Sequence, residues 1–244
     1  MKTGFVGTPL ILNCLFNNGL INEAYRILYN EECPGWLYAV NMGATTIWER
    51  WNSILEDGTI SGTAMNSLNH YAYGSVCEAI YSRIAGLRNL APGWKEVEIK
   101  PHLNYRMKQM DFSFDSPSGG FLIHWEIKDH FEIKVSVPNG VKATIILPNG
   151  TKHAVNGGEF VFYCEVPSAL THPFDIHTPL LDLLMSKDAT RILKNTLPQV
   201  YELATGDNIE FKLDSLDSIR YWYGTQIEDE QLNKALQQLA QLER

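Results

Sequence analysis

The 244-residue sequence has no cluster of basic residues, no CxxC pair of cysteines and no long apolar run. Its 28 acidic residues outnumber its 20 basic ones and are spread along the chain, so a nucleic-acid partner is not expected. The longest apolar runs are far shorter than the roughly 20 residues that a membrane-spanning helix needs, so no membrane partner is expected either. Neither a zinc site nor a disulfide scaffold is indicated by the widely spaced cysteines Cys14, Cys33, Cys77 and Cys164.

The start of the chain also lacks the features of a secretory signal peptide. The segment MKTGFVGTPLILNCLF contains one lysine and a short apolar run, without a cleavage site of small residues before a mature start. We therefore expect a cytoplasmic protein. We predict no cofactor and no metal, since no metal-binding spacing is found among the four histidines of the central region, which are His102, His124, His130 and His153.

Residues 1–92 have the spacing of apolar residues that is typical of helices. A first helix is predicted to begin at Thr8 and to end before Gly19, and a second follows in NEAYRILYN. A third is predicted over residues 70–87. The loop of residues 31–69 contains the tryptophans Trp36, Trp48 and Trp51. Because a long aromatic loop needs something to pack against or to bind, an ordered functional loop is favoured over disorder.

From about residue 93 the period of the apolar residues changes to two, as in β-strands. FLIHWEI (121–127) and FEIKVSV (131–137) alternate without a break, and SPSGG, VPNG and LPNG are turn signals. This pattern predicts an antiparallel β-sandwich over residues 93–178. Residues 179–244 return to a helical pattern and predict a small helical appendage, or a helix that packs against another chain. One apolar stripe of this tail consists of Leu232, Ala235, Leu236 and Leu239.

The segment GATTIWERW (43–51) places a single glutamate, Glu49, between two tryptophans, Trp48 and Trp51. A carboxylate beside indole rings suits a sugar, because the C–H faces of a sugar stack on aromatic rings while its hydroxyls need polar partners. The alternative is an exposed loop glutamate among tryptophans that belong to the core. For Arg50, orientation of the glutamate and an outward salt bridge stay equally open.

Four segments of the sequence resemble a known family. TGFVGTP (3–9), AYRILYNEECPGWLYAVNMGATTIWERWN (24–52), NHYAYGSVCEAIYSRIAGL (69–87) and APGWKEVEIKP (91–101) resemble, in that order, the carboxyl-terminal part of bacterial α-L-rhamnosidases of the inverting type. The resemblance implies an (α/α)6 barrel followed by a β-sandwich. The expected organisation is therefore multidomain: helices of a partial (α/α)6 barrel over 1–92, an antiparallel β-sandwich over 93–178 and a helical appendage over 179–244.

The resemblance also implies roles for single residues. Glu49, in the TTxWE motif, is expected to be the general base, and His70, in the NHY motif, is expected to line the sugar pocket. Trp36 and Trp48 are expected pocket residues. At least one of the three tryptophans, Trp51 included, is expected to stack on the sugar. The expected partner is a glycoside that carries terminal L-rhamnose.

In this family the general acid lies in the first half of the barrel, which we expect to be missing from these 244 residues. The chain alone is then expected to be inactive or weakly active. Glu56 and Asp57, in a turn-like segment, and Glu78, in the third helix, are not expected to replace the acid. Two other hypotheses stay open. One is a non-catalytic carbohydrate-binding or structural module. The other is half of a split enzyme, which associates with copies of itself or with a separate amino-terminal half of the barrel.

Overall fold

A computed structural model describes residues 3–62, 65–171, 174–206, 208–221 and 227–242. The chain divides into two compact units, Met1–Val166 and Pro167–Arg244. In the first unit helices are followed by a sheet, and in the second short helices follow one another. The predicted order of helices, strands and helical tail is confirmed, whereas the domain bounds at 92 and 178 remain predictions.

The first unit begins with a helical hairpin made of α1 (Thr8–Asn17) and α2 (Ile21–Leu28). Proline is tolerated in the first turn of α1, because the N–H that it lacks would have no partner within the helix. Gly19, between the helices, has a φ of 75°, a left-handed conformation that glycine adopts without strain. The predicted hairpin is therefore confirmed.

The remaining helices of the first unit are less regular than the sequence indicates. The long loop contains one short helix, α3 (Trp36–Asn41). The third predicted helix begins as a 3₁₀ turn at Ala72–Ser75, continues as α4 (Val76–Ala79) and ends as a π-helical turn at Ile80–Ile84. Apolar spacing predicted this segment but not the changes of helix type within it.

Six strands form one sheet after these helices. They are β1 (Leu87–Asn89), β2 (Glu96–Ile99), β3 (Gln109–Ser116), β4 (Gly119–Ile127), β5 (Phe131–Ile146) and β6 (Lys152–Cys164). The order is β1-β2-β5-β4-β3, and β6 also pairs with β5. The first half of β5 pairs with β4 and its second half with β2, while β6 pairs with both halves.

The long strand β5 makes the sheet curled and mixed rather than purely antiparallel. Its pairing with β2 is parallel. The VPNG segment, expected as a turn, lies inside β5, where the register with β6 shifts between Val137 and Lys142 and Gly140 has a φ of 81°. An irregularity of this kind bends a strand. LPNG forms the expected turn, which is closed by a hydrogen bond from Gly150 N to Leu147 O (2.8 Å).

The inward face of the sheet forms the core of the first unit. Alternate residues of β4 and β5 are buried: Phe121, Ile123, Trp125, Phe131, Ile133, Val135 and Val137. The indole N–H of Trp125 donates to the Ile84 carbonyl (3.0 Å), which satisfies the one polar group of this fully buried ring. The Tyr25 hydroxyl donates to the His102 carbonyl (2.9 Å). Both contacts fix the helices against the sheet.

The second unit consists of short helices in its described residues. They are α5 (Ser168–Thr171), α6 (Leu180–Leu184), α7 (Lys187–Thr196), α8 (Pro198–Thr205), α9 (Ile209–Leu213), α10 (Leu216–Ile219) and α11 (Asp229–Ala240). Ser186 caps α7 by accepting a hydrogen bond from Ala189 N (3.3 Å). The predicted stripe on α11 is buried at Leu232, Ala235 and Leu239. In the described part of the chain, no helix is both long and apolar enough to cross a membrane.

The junction between the helices and the sheet depends on Gly86. Its φ is 84°, and a Cβ at this position would lie 2.4 Å from Lys100 C and Pro101 N. We expect Gly86→Ala to lower the free energy of unfolding by more than the roughly 1–2 kcal/mol that a left-handed non-glycine residue costs by itself. Urea denaturation followed by tryptophan fluorescence measures the loss.

Gly19→Ala is the matched control for this substitution. The φ of Gly19 is similar, at 75°, but nothing lies within 4 Å of the added Cβ. The control should therefore show the conformational cost alone. Equal losses in the free energy of unfolding for Gly86→Ala and Gly19→Ala would show that the close approach of the Lys100–Pro101 backbone is not what requires glycine at position 86.

His102 makes the stability of the first unit depend on pH. Its ring meets Phe16 edge-on, with centroids 5.5 Å apart, and burial lowers its pKa, although a hydrogen bond to the Arg83 carbonyl opposes that shift. Because the unfolded chain binds this proton more readily, the stability that His102 contributes is present above the unfolded pKa of about 6.5 and is lost as the pH falls toward the lowered folded pKa.

Between about pH 7 and pH 5, the free energy of unfolding of His102→Asn should therefore fall less than that of the unchanged chain. Urea denaturation at a series of pH values measures this slope. His130→Asn serves as the control, since His130 is exposed. A slope that is the same with and without His102 would show that its ring is not the titrating group.

Candidate functional site

The TTxWE segment is held against the NHY segment by backbone hydrogen bonds. Glu49 N donates to Ser67 O (2.8 Å), and His70 N donates to Ile47 O (2.7 Å). Two motifs that are separate in the sequence therefore run side by side in the structure. This pairing fixes the backbone positions of Glu49 and His70 relative to each other.

Ser53, which is fully buried, fixes the turn after the TTxWE segment. Its hydroxyl accepts a hydrogen bond from Arg50 N (3.1 Å) and donates one to Arg50 O (3.0 Å). Its carbonyl accepts from Ser61 N and from Asn66 Nδ2, both at 3.0 Å. One residue thus ties the turn at Arg50 to the chain that leads to the NHY segment.

Three residues, Trp36, Trp51 and Tyr73, form an aromatic wall. Trp51 stacks on Tyr73, with ring centroids 3.8 Å apart, and meets Trp36 edge-on at 5.2 Å. The indole of Trp36 donates to Tyr73 O (2.9 Å), and that of Trp51 donates to Thr3 O (3.1 Å). Packing and one hydrogen bond hold each indole, so the wall is formed without a ligand.

A cavity of about 310 Å³ lies beside the aromatic wall, a volume that suits a small ligand. The residues that line it include Trp36, Thr45, Trp48, Arg50, Trp51 and Tyr73. The structure thus brings together the three tryptophans that the sequence proposed as substrate-binding residues. Trp48 is only 4% exposed and contributes to the cavity from within the core.

Glu49 is half-buried and, among the described residues, is not one of those that line this cavity, although its neighbours Trp48 and Arg50 do. Its role as a general base stays a prediction. Arg50 is among the residues that line the cavity. Orientation of the glutamate and an outward salt bridge both stay predictions for it.

His70 lies in a stack of aromatic rings. Its ring centroid is 5.0 Å from that of Phe5 and 5.0 Å from that of Tyr71, with interplanar angles of 19° and 18°. Its Nδ1 accepts a hydrogen bond from Ala72 N (3.3 Å). In the neutral imidazole this leaves the proton on Nε2, so the ring presents a hydrogen-bond donor there. A sugar hydroxyl is a suitable acceptor.

Two family models match most of the first unit. The model of the bacterial alpha-L-rhamnosidase 6 hairpin glycosidase domain matches residues 1–84, and that of the bacterial alpha-L-rhamnosidase C-terminal domain matches residues 86–168. Residues 1–168 belong to the bacterial α-L-rhamnosidase family. The boundary between the two models falls beside Gly86, at the junction of helices and sheet.

Curated α-L-rhamnosidases are similar to this family portion. That of Formosa agariphila is 39% identical over 156 residues, which cover 64% of this chain and 17% of the relative. That of an Alteromonas species is 40% identical over 150 residues, 61% of this chain and 16% of the relative. The chain therefore spans about a sixth of the length of these relatives.

Solved rhamnosidase structures share the fold. The α-L-rhamnosidase of Streptomyces avermitilis, complexed with L-rhamnose, has a TM-score of 0.65 and 33% identity over 68% of this chain and 18% of its own. The native enzyme of Aspergillus terreus has a TM-score of 0.64 and 36% identity over 67% of this chain and 19% of its own. The predicted resemblance to the rhamnosidases is thus confirmed.

The other acidic residues of the rhamnosidase-like helices are placed as surface groups. Glu56 and Asp57 are exposed in a small hairpin, as predicted, and Asp57 accepts hydrogen bonds from Thr59 N (2.9 Å) and Thr59 Oγ1 (2.6 Å). These bonds lower the pKa of Asp57, which favours its charged form. Glu78 is also exposed and accepts a hydrogen bond from the Asn13 amide.

Sequence reasoning missed three residues that build the site. Ser53 lies in an unremarkable polar stretch, and nothing in its local pattern reveals that it organises a turn. Phe5 belongs to the TGFVGTP segment that carries the rhamnosidase resemblance, which was the available signal for its place beside His70. Tyr73 lies within the third predicted helix, and no pattern in the sequence indicates that its ring supports Trp51.

A second concave region, the sheet groove, lies on the outer face of the sheet. It has a volume of about 720 Å³, and its lining includes Asp111, Leu122, His124, Lys134, Glu159 and Val161. Although this groove is larger than the cavity beside the aromatic wall, it contains none of the proposed rhamnosidase site residues. The smaller cavity is the better candidate, because motif residues from separate segments meet there.

Ser53→Ala should destabilise the turn beside the site. The substitution leaves the buried N–H of Arg50 without the hydroxyl partner it has now, a loss worth about 1–3 kcal/mol. Chemical denaturation of the two proteins measures the difference in the free energy of unfolding.

Ser67→Ala is the matched control for Ser53→Ala. The Ser67 hydroxyl donates to Asn69 O (3.0 Å) and accepts from Asn69 N (3.1 Å), and these bonds are exposed to solvent. Water can replace them, so the cost should be smaller. An equal loss in the free energy of unfolding for both substitutions would show that burial does not increase the contribution of the Ser53 hydrogen bonds to stability.

Proposed function

We propose that residues 1–84 supply the general-base side of an inverting α-L-rhamnosidase site, with Glu49 as the base and terminal L-rhamnose as the sugar bound. The observation that supports this proposal is the pairing of the TTxWE and NHY segments beside a pre-formed aromatic wall. The paired backbone segments carry a carboxylate residue and an imidazole residue, and the same loop carries the indole rings. These are the groups that activation of water and binding of a sugar require.

The proposed chemistry uses two carboxyl groups on opposite faces of the sugar, roughly 6.5–9.5 Å apart. The Glu49 carboxylate takes a proton from a water molecule as the water oxygen bonds to the anomeric carbon. The bond to the leaving-group oxygen breaks, and an acid on the other face donates a proton to that oxygen. His70 Nε2 donates a hydrogen bond to a hydroxyl of the sugar, and Trp36, Trp48 and Trp51 form the apolar side of its pocket.

The acid is proposed to come from another part of a barrel. Glu56, Asp57 and Glu78 are exposed surface groups engaged with their neighbours or with solvent. Large apolar side chains are exposed on the helical part of the first unit, among them Val6, Leu10, Val40, Ile60, Met65 and Tyr71. Exposed apolar surface of this extent favours association. The proposed partner is therefore the acid-bearing half of a six-hairpin barrel.

A non-catalytic carbohydrate-binding module is the second candidate function. One observation favours it: the wall of Trp36, Trp51 and Tyr73 and the cavity beside it are complete within residues 1–84. Binding of a sugar does not require a second carboxyl group. This candidate predicts saturable binding of L-rhamnose by the chain alone, with an affinity that Glu49→Gln leaves unchanged.

Hydrolysis of an aryl α-L-rhamnoside tests the catalytic proposal. The chain alone should show little turnover, because general acid–base assistance is worth roughly 10²–10⁴-fold. When the preceding barrel segment of a relative is added as a separate polypeptide, turnover should rise. In that mixture Glu49→Gln should lower the rate by about 10²-fold or more, and the first sugar released, followed by proton NMR, should be the β anomer.

Glu56→Gln is the matched control, since it removes a carboxylate from the same loop at an exposed position. Its rate should equal that of the unchanged chain. Full turnover by the chain alone would reject the proposal that the acid comes from another part of the barrel. Equal rates for Glu49→Gln and Glu56→Gln in the mixture would reject Glu49 as the base. Calorimetric binding of L-rhamnose without any turnover in the mixture would favour the binding module instead.

A further inference from the structure

Strand pairing brings three potential metal ligands together on the outer face of the sheet. His124 and Glu126 lie two residues apart on β4 and therefore point to the same face. Glu132, on β5, is directly opposite Glu126. One ligand atom from each of the three residues lies within 4.8 Å of the others. The expectation of no metal rested on the spacing of the histidines, and this cluster contains only one histidine.

A fourth residue orients the imidazole of this cluster. Asp111, opposite His124 on β3, places its Oδ1 2.7 Å from His124 Nδ1. A carboxylate at this distance holds the proton on Nδ1 and leaves the lone pair of the neutral ring on Nε2. Histidines that bind metals in proteins commonly have such a carboxylate partner on the ring nitrogen that does not bind the metal.

The two glutamates of the cluster are mostly shielded from solvent, with side chains 19% exposed at Glu126 and 13% at Glu132. Two carboxylates directly opposite each other on neighbouring strands repel and need a cation nearby. Lys134 Nζ lies 2.6 Å from Glu132 Oε1, and Lys128 Nζ lies 2.8 Å from Glu126 Oε2. Besides the Lys134 ammonium, the Tyr163 hydroxyl hydrogen-bonds the Glu132 carboxylate.

We propose that His124, Glu126 and Glu132 form a binding site for a divalent transition metal, with Zn²⁺ as its best-matched ion, and that Asp111 is its positioning residue. One imidazole and two carboxylates form a mixed nitrogen and oxygen set, whereas Ca²⁺ and Mg²⁺ prefer oxygen ligands alone. Three protein ligands leave one tetrahedral position of Zn²⁺ open. The cluster adjoins the sheet groove, since Asp111 and His124 are among the residues that line it.

Lys134 is the competitor that sets the affinity of this site. Its ammonium forms an ion pair with Glu132 and is also attracted by the charge of Glu126. A metal ion bound by both glutamates must displace this charge. Because Lys134 is exposed and carries a flexible stem, the displacement moves only its side chain. Removal of the ammonium should therefore strengthen binding, an effect that a nonspecific surface site elsewhere would not show.

Calorimetric titration of the chelator-treated, tag-free full chain with ZnCl₂ tests the proposal. All samples carry Cys14→Ser, Cys33→Ser and Cys77→Ser, because these thiols are exposed and a thiolate is itself a zinc ligand. One Zn²⁺ per chain is expected. His124→Gln should abolish that binding, and Asp111→Asn should weaken it about 10- to 100-fold. Lys134→Met should tighten it by roughly 10-fold or more, since a nearby positive charge is removed.

His177→Gln is the matched control, since His177 also has a carboxylate neighbour, with Nδ1 3.7 Å from Asp217 Oδ2, but in the second unit. It should leave the affinity unchanged. The proposal is overturned by an absence of saturable binding, by binding that survives His124→Gln, or by an affinity that Lys134→Met does not raise. Binding by Lys134→Met alone would also overturn it, because the ammonium would then be the native occupant.

Discussion

Two backbone hydrogen bonds, from Glu49 N to Ser67 O and from His70 N to Ile47 O, are the constraint on which the candidate site depends. They close a long loop, and closing a loop costs chain entropy. That cost is offset inside the loop itself. Ser53 is a buried polar centre, and its hydroxyl and carbonyl accept or donate four of the bonds that shape the intervening chain. The site is thus a consequence of loop packing rather than of regular secondary structure.

The sequence was most informative where periodicity and motif agreed. Alternation over 121–127 and 131–137 predicted β4 and the first half of β5, since one face of the sheet is buried and a strand has a period of two. The bend in β5 was not predictable, because VPNG is a turn signal and only the pairing with β2 and β6 turns it into an irregularity within a strand. The tail was predicted as helical, and it is. Pro198 separates α7 from α8 and is itself the first residue of α8.

The candidate site was predicted as a set of residues but not as a surface. The motifs identified Glu49, His70 and the tryptophans, and the structure does bring Trp36 and Trp51 together. The sequence left open whether each tryptophan lines a pocket or belongs to the core, and Trp48 does both. Contacts between residues far apart in sequence are decided by three-dimensional packing. The cluster on the sheet was missed because only the spacing of histidines was considered, whereas it combines one histidine with glutamates of two strands.

The exposed surroundings of His70 connect the proposed chemistry to the proposed partner. A general base works best where water is limited to the attacking molecule, because hydrogen bonds and charges act more strongly in a site from which bulk solvent is excluded. The rings of Phe5 and Tyr71 both stack on His70. Tyr71 is 85% exposed and Phe5 is 43% exposed. In the proposed assembly, the surface that brings the acid also covers these rings. Association would then supply the second carboxyl group and exclude solvent in the same step. In this proposal the pairing of the two motifs and the aromatic wall do not suffice for hydrolysis by themselves.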